Sequence, residues 1–242
     1  MQGAVYCPDI MATISANLQA VKGRIRTAAQ SAGRDAGAAR LLAVSKSWPA
    51  ASVREAFAAG QRAFGENYVQ EGVPKITALD DLDLEWHFIG PLQSNKTREV
   101  AAYFDWVHSL DRLKIAERLS AQRPAGAPPL QVCLQVNVSG EASKGGVTPA
   151  ETAALARAVA KLPRLRLRGL MAIPEPGADG NLLRPRFAEL RQLLALLNAE
   201  GMQLDTLSMG MSDDLEVAIA EGATIVRVGT AIFGLREKRG IQ

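Results

Sequence analysis

Short apolar runs alternate along this chain with stretches whose apolar residues recur at helical spacing. The first periodic stretch carries Ile14, Leu18, Val21 and Ile25 on one face and stops at Gly33, which predicts an amphipathic helix over 12–33. Strands are then predicted at 41–45, 61–65, 85–90, 105–109, 130–138, 165–173, 204–209 and 224–229. Helices are predicted between them, at 50–59, 66–78, 93–102, 111–122, 148–161, 184–199 and 213–221. Parallel neighbours need long connections, and a crossover helix covers the sheet face, so this alternation means an α/β fold with a parallel sheet. Eight strands suit a single-domain (β/α)8 TIM barrel, here with an N-terminal helix preceding the first strand. A doubly wound sheet is the alternative, but it usually has fewer strands and begins on one.

The barrel is assigned to residues 12–236, with tails at 1–11 and 237–242; Met11, just before the opening helix, offers a second start position. Ala125–Pro129 and Pro174–Gly180 read as loops, the second long enough to border an active-site mouth. Arg164, Arg166 and Arg168 alternate with leucines where a strand begins, which places them on the solvated rim at the opposite end.

Leu41-Leu42-Ala43-Val44-Ser45-Lys46 is an apolar strand that delivers one lysine to its C-terminal end. An ammonium there is costly to desolvate, and desolvation lowers a lysine's pKa and makes its amine nucleophilic toward an aldehyde such as that of pyridoxal 5′-phosphate (PLP). A rim lysine with no chemistry is the plainer explanation, so the other strand ends decide. They supply Gly65-Glu66-Asn67, His87 with Pro91–Lys96 beyond it, Asn137, Met171-Ala172-Ile173, Ser208-Met209-Gly210-Met211-Ser212-Asp213-Asp214, and Arg227-Val228-Gly229-Thr230. In barrels the loops after strands seven and eight most often hold phosphate. Ser208, Gly210, Ser212, Gly229 and Thr230 bring small side chains, backbone N–H groups and hydroxyls to those two loops. Each alone is explained by a helix cap or a tight turn; together, opposite a strand-one lysine, they point to an anion.

Other chemistries lack their signatures. His87 and His108 show no metal-ligand spacing; His87 is placed near the pocket wall and His108 is given a structural role. Asp213 and Asp214 need no metal to explain them in a first helical turn. No Gly-x-Ser-x-Gly, Gly-x-Gly-x-x-Gly or Walker sequence occurs. The net charge of +3 and pI near 9.0 come from dispersed arginines with few aromatics, so no nucleic-acid partner is expected. Cys7 and Cys133 form no disulfide framework, no run is long enough to span a membrane, and the N-terminus does not read as a leader, so a cytoplasmic protein is expected.

The motifs Ala43–Lys46, Phe64–Glu71, Trp86–Lys96, Gln135–Asn137, Leu167–Met171, Leu207–Asp214 and Val226–Gly234 resemble those of the PLP homeostasis proteins (YggS/PROSC type). That family is itself similar to the barrel half of alanine racemase, and the resemblance covers about residues 12 to 236. It implies PLP as cofactor, bound as an internal aldimine on Lys46. It also implies that Ser208, Gly229 and Thr230 grip the phosphate and that Arg227 faces the pyridine nitrogen. Asn67, His87, Asn137, Met171, Met209 and Ser212 are the remaining cofactor-binding candidates. A guanidinium at the ring nitrogen disfavours its protonation and makes the ring a weaker electron sink. The expected function is therefore a PLP carrier in vitamin B6 homeostasis without dedicated catalysis, a monomer whose partners are PLP and apo-forms of PLP-dependent enzymes. An amino-acid racemase is the second reading; it needs a base across from Lys46, and Tyr6, Tyr68 and Tyr103 offer no obvious one. A barrel for some other phosphorylated metabolite would leave Lys46 unexplained. Two places depart from the family pattern: Ser47-Trp48 stands where Thr-Lys-Pro is common, and Ser143-Lys144-Gly145-Gly146 varies a Ser-Lys-Ser-Gly motif.

Overall fold

The apolar runs pair in the order of the chain. A computed structural model describes residues 13–141, 145–174 and 180–234. Its eight parallel strands are β1 (Arg40–Val44), β2 (Ala63–Glu66), β3 (Glu85–Phe88), β4 (Trp106–Leu110), β5 (Leu130–Gln135), β6 (Leu165–Met171), β7 (Thr206–Ser208) and β8 (Ile225–Val228). Each pairs with the next and β8 returns to β1, which closes a (β/α)8 barrel. The expected fold class and strand number hold. The expected tails at 1–11 and 237–242, and the Ser143-Lys144 departure, lie outside the described residues.

Helices cover the barrel: α1 (Ile14–Ser31) precedes β1, and α2 (Ala50–Ala58), α3 (Val69–Thr77), α4 (Thr97–Tyr103), α5 (Leu113–Gln122), α6 (Pro149–Val159), α7 (Gly180–Ala199), α8 (Leu215–Ala220) and α9 (Thr230–Phe233) follow the successive strands. Local chemistry sets their ends. The Thr13 hydroxyl caps α1 by accepting from the Ala16 N–H at 3.2 Å, and Thr148 with Glu151 forms a reciprocal capping box on α6. α3 starts three residues later than the sequence suggests, because Glu66 still belongs to β2 and pairs with Phe88.

Strand alternation divides the core in two. Outward residues such as Phe64, Trp86, Phe88, Leu170, Leu207 and Val226 pack against the helices in one large apolar cluster. Inward residues form two small apolar groups, Leu42, Val44, Ile89 and Ile225 in one, and Trp106, Cys133 and Met171 in the other. Polar side chains fill much of the remaining interior, His87, His108, Ser208 and Arg227 buried, with the half-buried Glu85 below them.

Candidate functional site

Lys46 follows β1 on the axial side. Val44 faces the barrel interior, and Ser45 faces outward, since its hydroxyl donates to Glu66 Oε1 at 2.6 Å and its carbonyl accepts from Lys75 Nζ of α3 at 2.9 Å. Alternation carried one residue further aims Lys46 at the mouth, where it is half-buried. The chain turns there: the Trp48 N–H donates to the Ser45 carbonyl at 3.0 Å, and Ser47 stands at φ 68°.

The loops expected to hold an anion are beside Lys46 rather than opposite it, because closure of the barrel pairs β8 with β1, Ala43 against Val228. Gly229 lies so close to β1 that a Cβ there would meet the Val44 carbonyl at 3.1 Å. Thr230 is exposed at the start of α9, and Trp48 stacks on Phe233 with ring centroids 5.9 Å apart, tying the lysine turn to α9. Ser212 sits partly buried in the loop after β7, its carbonyl held by Arg24 of α1 at 3.0 Å.

The interior polar side chains form one hydrogen-bonded chain. Arg227 Nη1 donates to Ser208 Oγ at 2.8 Å and to the Ser208 carbonyl at 2.6 Å, and Nη2 donates to the Ala172 carbonyl at 2.9 Å. Ser208 Oγ lies 2.7 Å from His108 Nδ1, His108 Nε2 lies 2.8 Å from His87 Nδ1, and His87 Nε2 lies 2.7 Å from Glu85 Oε1. Arg227 can only donate, so the Ser208 proton is free to point at His108 Nδ1; His108 then donates to His87, and His87 to the Glu85 carboxylate. Both imidazoles are neutral in this arrangement, and burial pushes both pKa values down, that of His108 well below 6.5. In this arrangement a proton added at His87 Nδ1 would face the His108 Nε2–H, donor against donor. Burial brings Arg227 down to about 10, which leaves it charged at neutral pH. Burial also pushes the Cys133 thiol up to about 12, so this interior sulfur is an inert thiol.

Several candidates occupy places the sequence did not suggest. Met209 packs its side chain outward with the shell, leaving only its backbone on the strand-seven loop. The Ser208 hydroxyl is engaged by Arg227 and His108, which leaves Ser212, Gly229 and Thr230 as the candidate donors in the loops after β7 and β8. His87 lies below the mouth, 1% exposed, between Glu85 and His108. Met171 packs with Trp106 and Cys133 in the interior. Asn137 turns onto its own loop, donating to the Glu141 carbonyl at 2.8 Å and accepting from the Gly140 N–H at 3.1 Å. Asn67 follows β2 with its Oδ1 buried and unpartnered, and its carbonyl is packed so tightly that a Cβ on Gly90 would meet it at 2.0 Å. Sequence reasoning named Glu66 at a strand end without giving it a role, and passed over Lys75 and Glu85 as site neighbours. No group of His, Cys, Asp and Glu among the described residues is arranged to hold a metal. A cavity of about 520 Å³ among Arg62, Glu85, Trp106, Arg166 and Arg168 opens at the N-terminal end of the barrel, away from Lys46.

The family described as alanine racemase, N-terminal domain, matches residues 16–237. Among curated relatives, the pyridoxal phosphate homeostasis protein of Pseudomonas aeruginosa is 66% identical over 227 residues, covering 94% of this chain and 97% of the relative. That of Escherichia coli K12 is 56% identical over 233 residues, covering 94% and 98%. The chain belongs to the pyridoxal phosphate homeostasis protein family. Among solved structures, PipY of Synechococcus elongatus with PLP bound is 40% identical at a TM-score of 0.81, covering 92% of this chain and 100% of that one. Alanine racemase from Corynebacterium glutamicum shares the fold at 19% identity and a TM-score of 0.65, with 63% of its length covered. The candidate site of this homeostasis-family barrel is a lysine turn with two adjacent loops and a buried arginine beneath them. No described helix is long and apolar enough to cross a membrane.

Proposed function

We propose that this protein holds PLP as a Schiff base on Lys46 and acts in intracellular vitamin B6 homeostasis as a carrier, a cytoplasmic monomer that delivers the cofactor to apo-forms of PLP-dependent enzymes. The observation that carries the proposal is that Lys46, two residues beyond Val44, leaves the barrel on β1 beside the Gly229-Thr230 turn that follows the paired strand β8, with Gly229 packed against Val44. PLP supplies an aldehyde that condenses with an amine, a phosphate and an aromatic ring. The residues present fit it. Gly229 brings backbone to the rim beside β1 with no side chain in the way, Ser212 and Thr230 bring hydroxyls to the loops there, and the buried, unpartnered Asn67 Oδ1 offers an acceptor. PLP in the PipY structure, and the name shared by relatives matched over nearly their whole length, support the same ligand.

Arg227 sets the chemical character of this site. Its guanidinium is fixed by two carbonyls and a hydroxyl and stays charged, so it disfavours a proton on the ring nitrogen it is proposed to face. The nearest carboxylate along its hydrogen-bonded chain is Glu85, with Ser208, His108 and His87 between them. This arrangement favours holding the cofactor over turning over amino acids.

The test is transfer. Loaded protein incubated with an apo-enzyme stripped of PLP should restore the acceptor's activity, and a Lys46→Ala variant should not do so beyond free cofactor. Chiral analysis of alanine and serine should show no racemisation at rates typical of a dedicated enzyme. Robust, Lys46-dependent conversion of one amino acid would replace the carrier with a racemase.

A further inference from the structure

Three charged side chains sit behind Lys46, outside the barrel wall and away from the mouth. Glu66 ends β2 fully buried, Lys75 of α3 is 6% exposed, and Glu71 of the same helix is partly exposed. An ammonium has three N–H donors, and Lys75 has three acceptors: Glu66 Oε1 at 2.6 Å, the Ser45 carbonyl at 2.9 Å and Glu71 Oε1 at 3.3 Å. Glu66 Oε1 also accepts from the Ser45 hydroxyl at 2.6 Å, and Glu71 Oε1 accepts from the Ser47 N–H. The peptide on each side of Lys46 is thereby gripped, through the hydroxyl and carbonyl of Ser45 before it and the N–H of Ser47 after it.

The grip answers a local cost. The Ser45–Trp48 turn, closed by the Trp48 N–H on the Ser45 carbonyl, puts Ser47 at φ 68°, a conformation that a residue with a Cβ adopts at an energetic price. Such a conformation persists only where the surroundings impose it. Here the surroundings are Glu71 and, through Lys75, Glu66. A buried charge cluster next to a strand that apolar packing alone could hold calls for a further reason, because hydrophobic replacements of buried ion pairs are often no less stable.

We propose that Lys75, with Glu66 and Glu71, is a positioning assembly for Lys46: it holds the Ser45–Ser47 turn so that the Lys46 amine is presented to the aldehyde of the ligand. None of the three touches the ligand in this scheme. The proposal rests on the reading of Lys46 as the Schiff-base lysine.

The experiment compares two ligands that share ring and phosphate but differ in the aldehyde. Dissociation constants of PLP and of pyridoxine 5′-phosphate, which cannot form a Schiff base, are measured for the full-length wild type, Glu71→Ala, Glu71→Gln and the charge-compensated double variant Glu66→Gln/Lys75→Met. Melting temperatures of the ligand-free proteins are recorded beside them. Mispositioning a reacting group costs rate and affinity steeply, so Glu71→Ala should weaken PLP about tenfold while changing pyridoxine 5′-phosphate by less than about twofold. Glu71→Gln keeps an acceptor for the Ser47 N–H and should recover most of the loss. The double variant removes the buried Glu66–Lys75 pair together and leaves the partly exposed Glu71 carboxylate with the Ser47 N–H, and should show the same selective loss as Glu71→Ala. Equal weakening of both ligands, or unchanged PLP affinity in Glu71→Ala and the double variant, would overturn the proposal. If the wild type gives no borohydride-stable adduct on Lys46, the reading of Lys46 fails first and the positioning role falls with it.

Discussion

Acidification tests the interior hydrogen-bonded chain, because His87 and His108 are buried in the neutral form and protonated once the chain unfolds. The sign follows from linkage. Both folded pKa values lie below 6.5, so between them and 6.5 the unfolded state binds more protons than the folded state. Stability is therefore full above 6.5 and falls as pH drops through that value. One histidine neutral in the fold and ordinary in the unfolded chain loses about 1.4 kcal/mol between pH 7.5 and 5.5, and two lose up to about 2.7 kcal/mol. Against a total of about 5–15 kcal/mol, such a loss is readily measured. Glu66 and Asp105, whose carboxyls burial pushes up, take protons in the folded state and act with the opposite sign toward lower pH. A His108→Gln variant isolates the histidine part, since it should remove about half of the slope or more whatever its absolute stability. Urea unfolding of ligand-free protein at half-unit pH steps supplies the data, and histidine ring resonances supply the folded titration. A stability flat between pH 7.5 and 5.5, or rings that titrate at ordinary values in the folded protein, would refute the neutral chain.

Other positions give sharper, single-site outcomes. Pyridoxal should bind far more weakly than its phosphate, because the donors of Ser212, Gly229 and Thr230 would be left unmatched; equal affinity, measured by equilibrium dialysis, would remove the anion role of those loops. Ser47→Val should cost about 2 kcal/mol and Ser47→Gly nothing or less in urea unfolding, since only glycine takes the positive φ of that turn without strain. Gly90→Ala should destabilise by about 3 kcal/mol or more, because its Cβ meets the Asn67 carbonyl, a backbone atom that cannot step aside.

Strand number, order and the place of Lys46 were legible in the sequence because a parallel barrel strand is apolar on its outer face and bounded by turn residues. Ala43, Phe64 and Val226 do face the shell as such runs require. The polar chain was not legible. Glu85 and His87 alternate with Trp86 and Phe88 as they would on a strand with one solvated face, and nothing local says that the polar face of this strand is the barrel axis. Only closure supplies partners for them, bringing His108, Ser208 and Arg227 from three other strands. The same limit applied to Ser208: a serine in a small-residue loop matches a phosphate donor by type, while the strand parity that turns it inward is a property of register. Lys75 escaped notice because a lysine on an amphipathic helix is ordinarily a solvated one, and its burial depends on Glu66 reaching it from β2.

The account turns on Lys46. Loading the protein with PLP, reducing it with borohydride and mapping the peptides should place a pyridoxyl group on Lys46. It should also abolish the visible absorbance of the Schiff base and block transfer to an apo-enzyme. Recovery of the label mainly on Lys96, Lys144 or another lysine, with Lys46 unmodified, would contradict the assignment of the site.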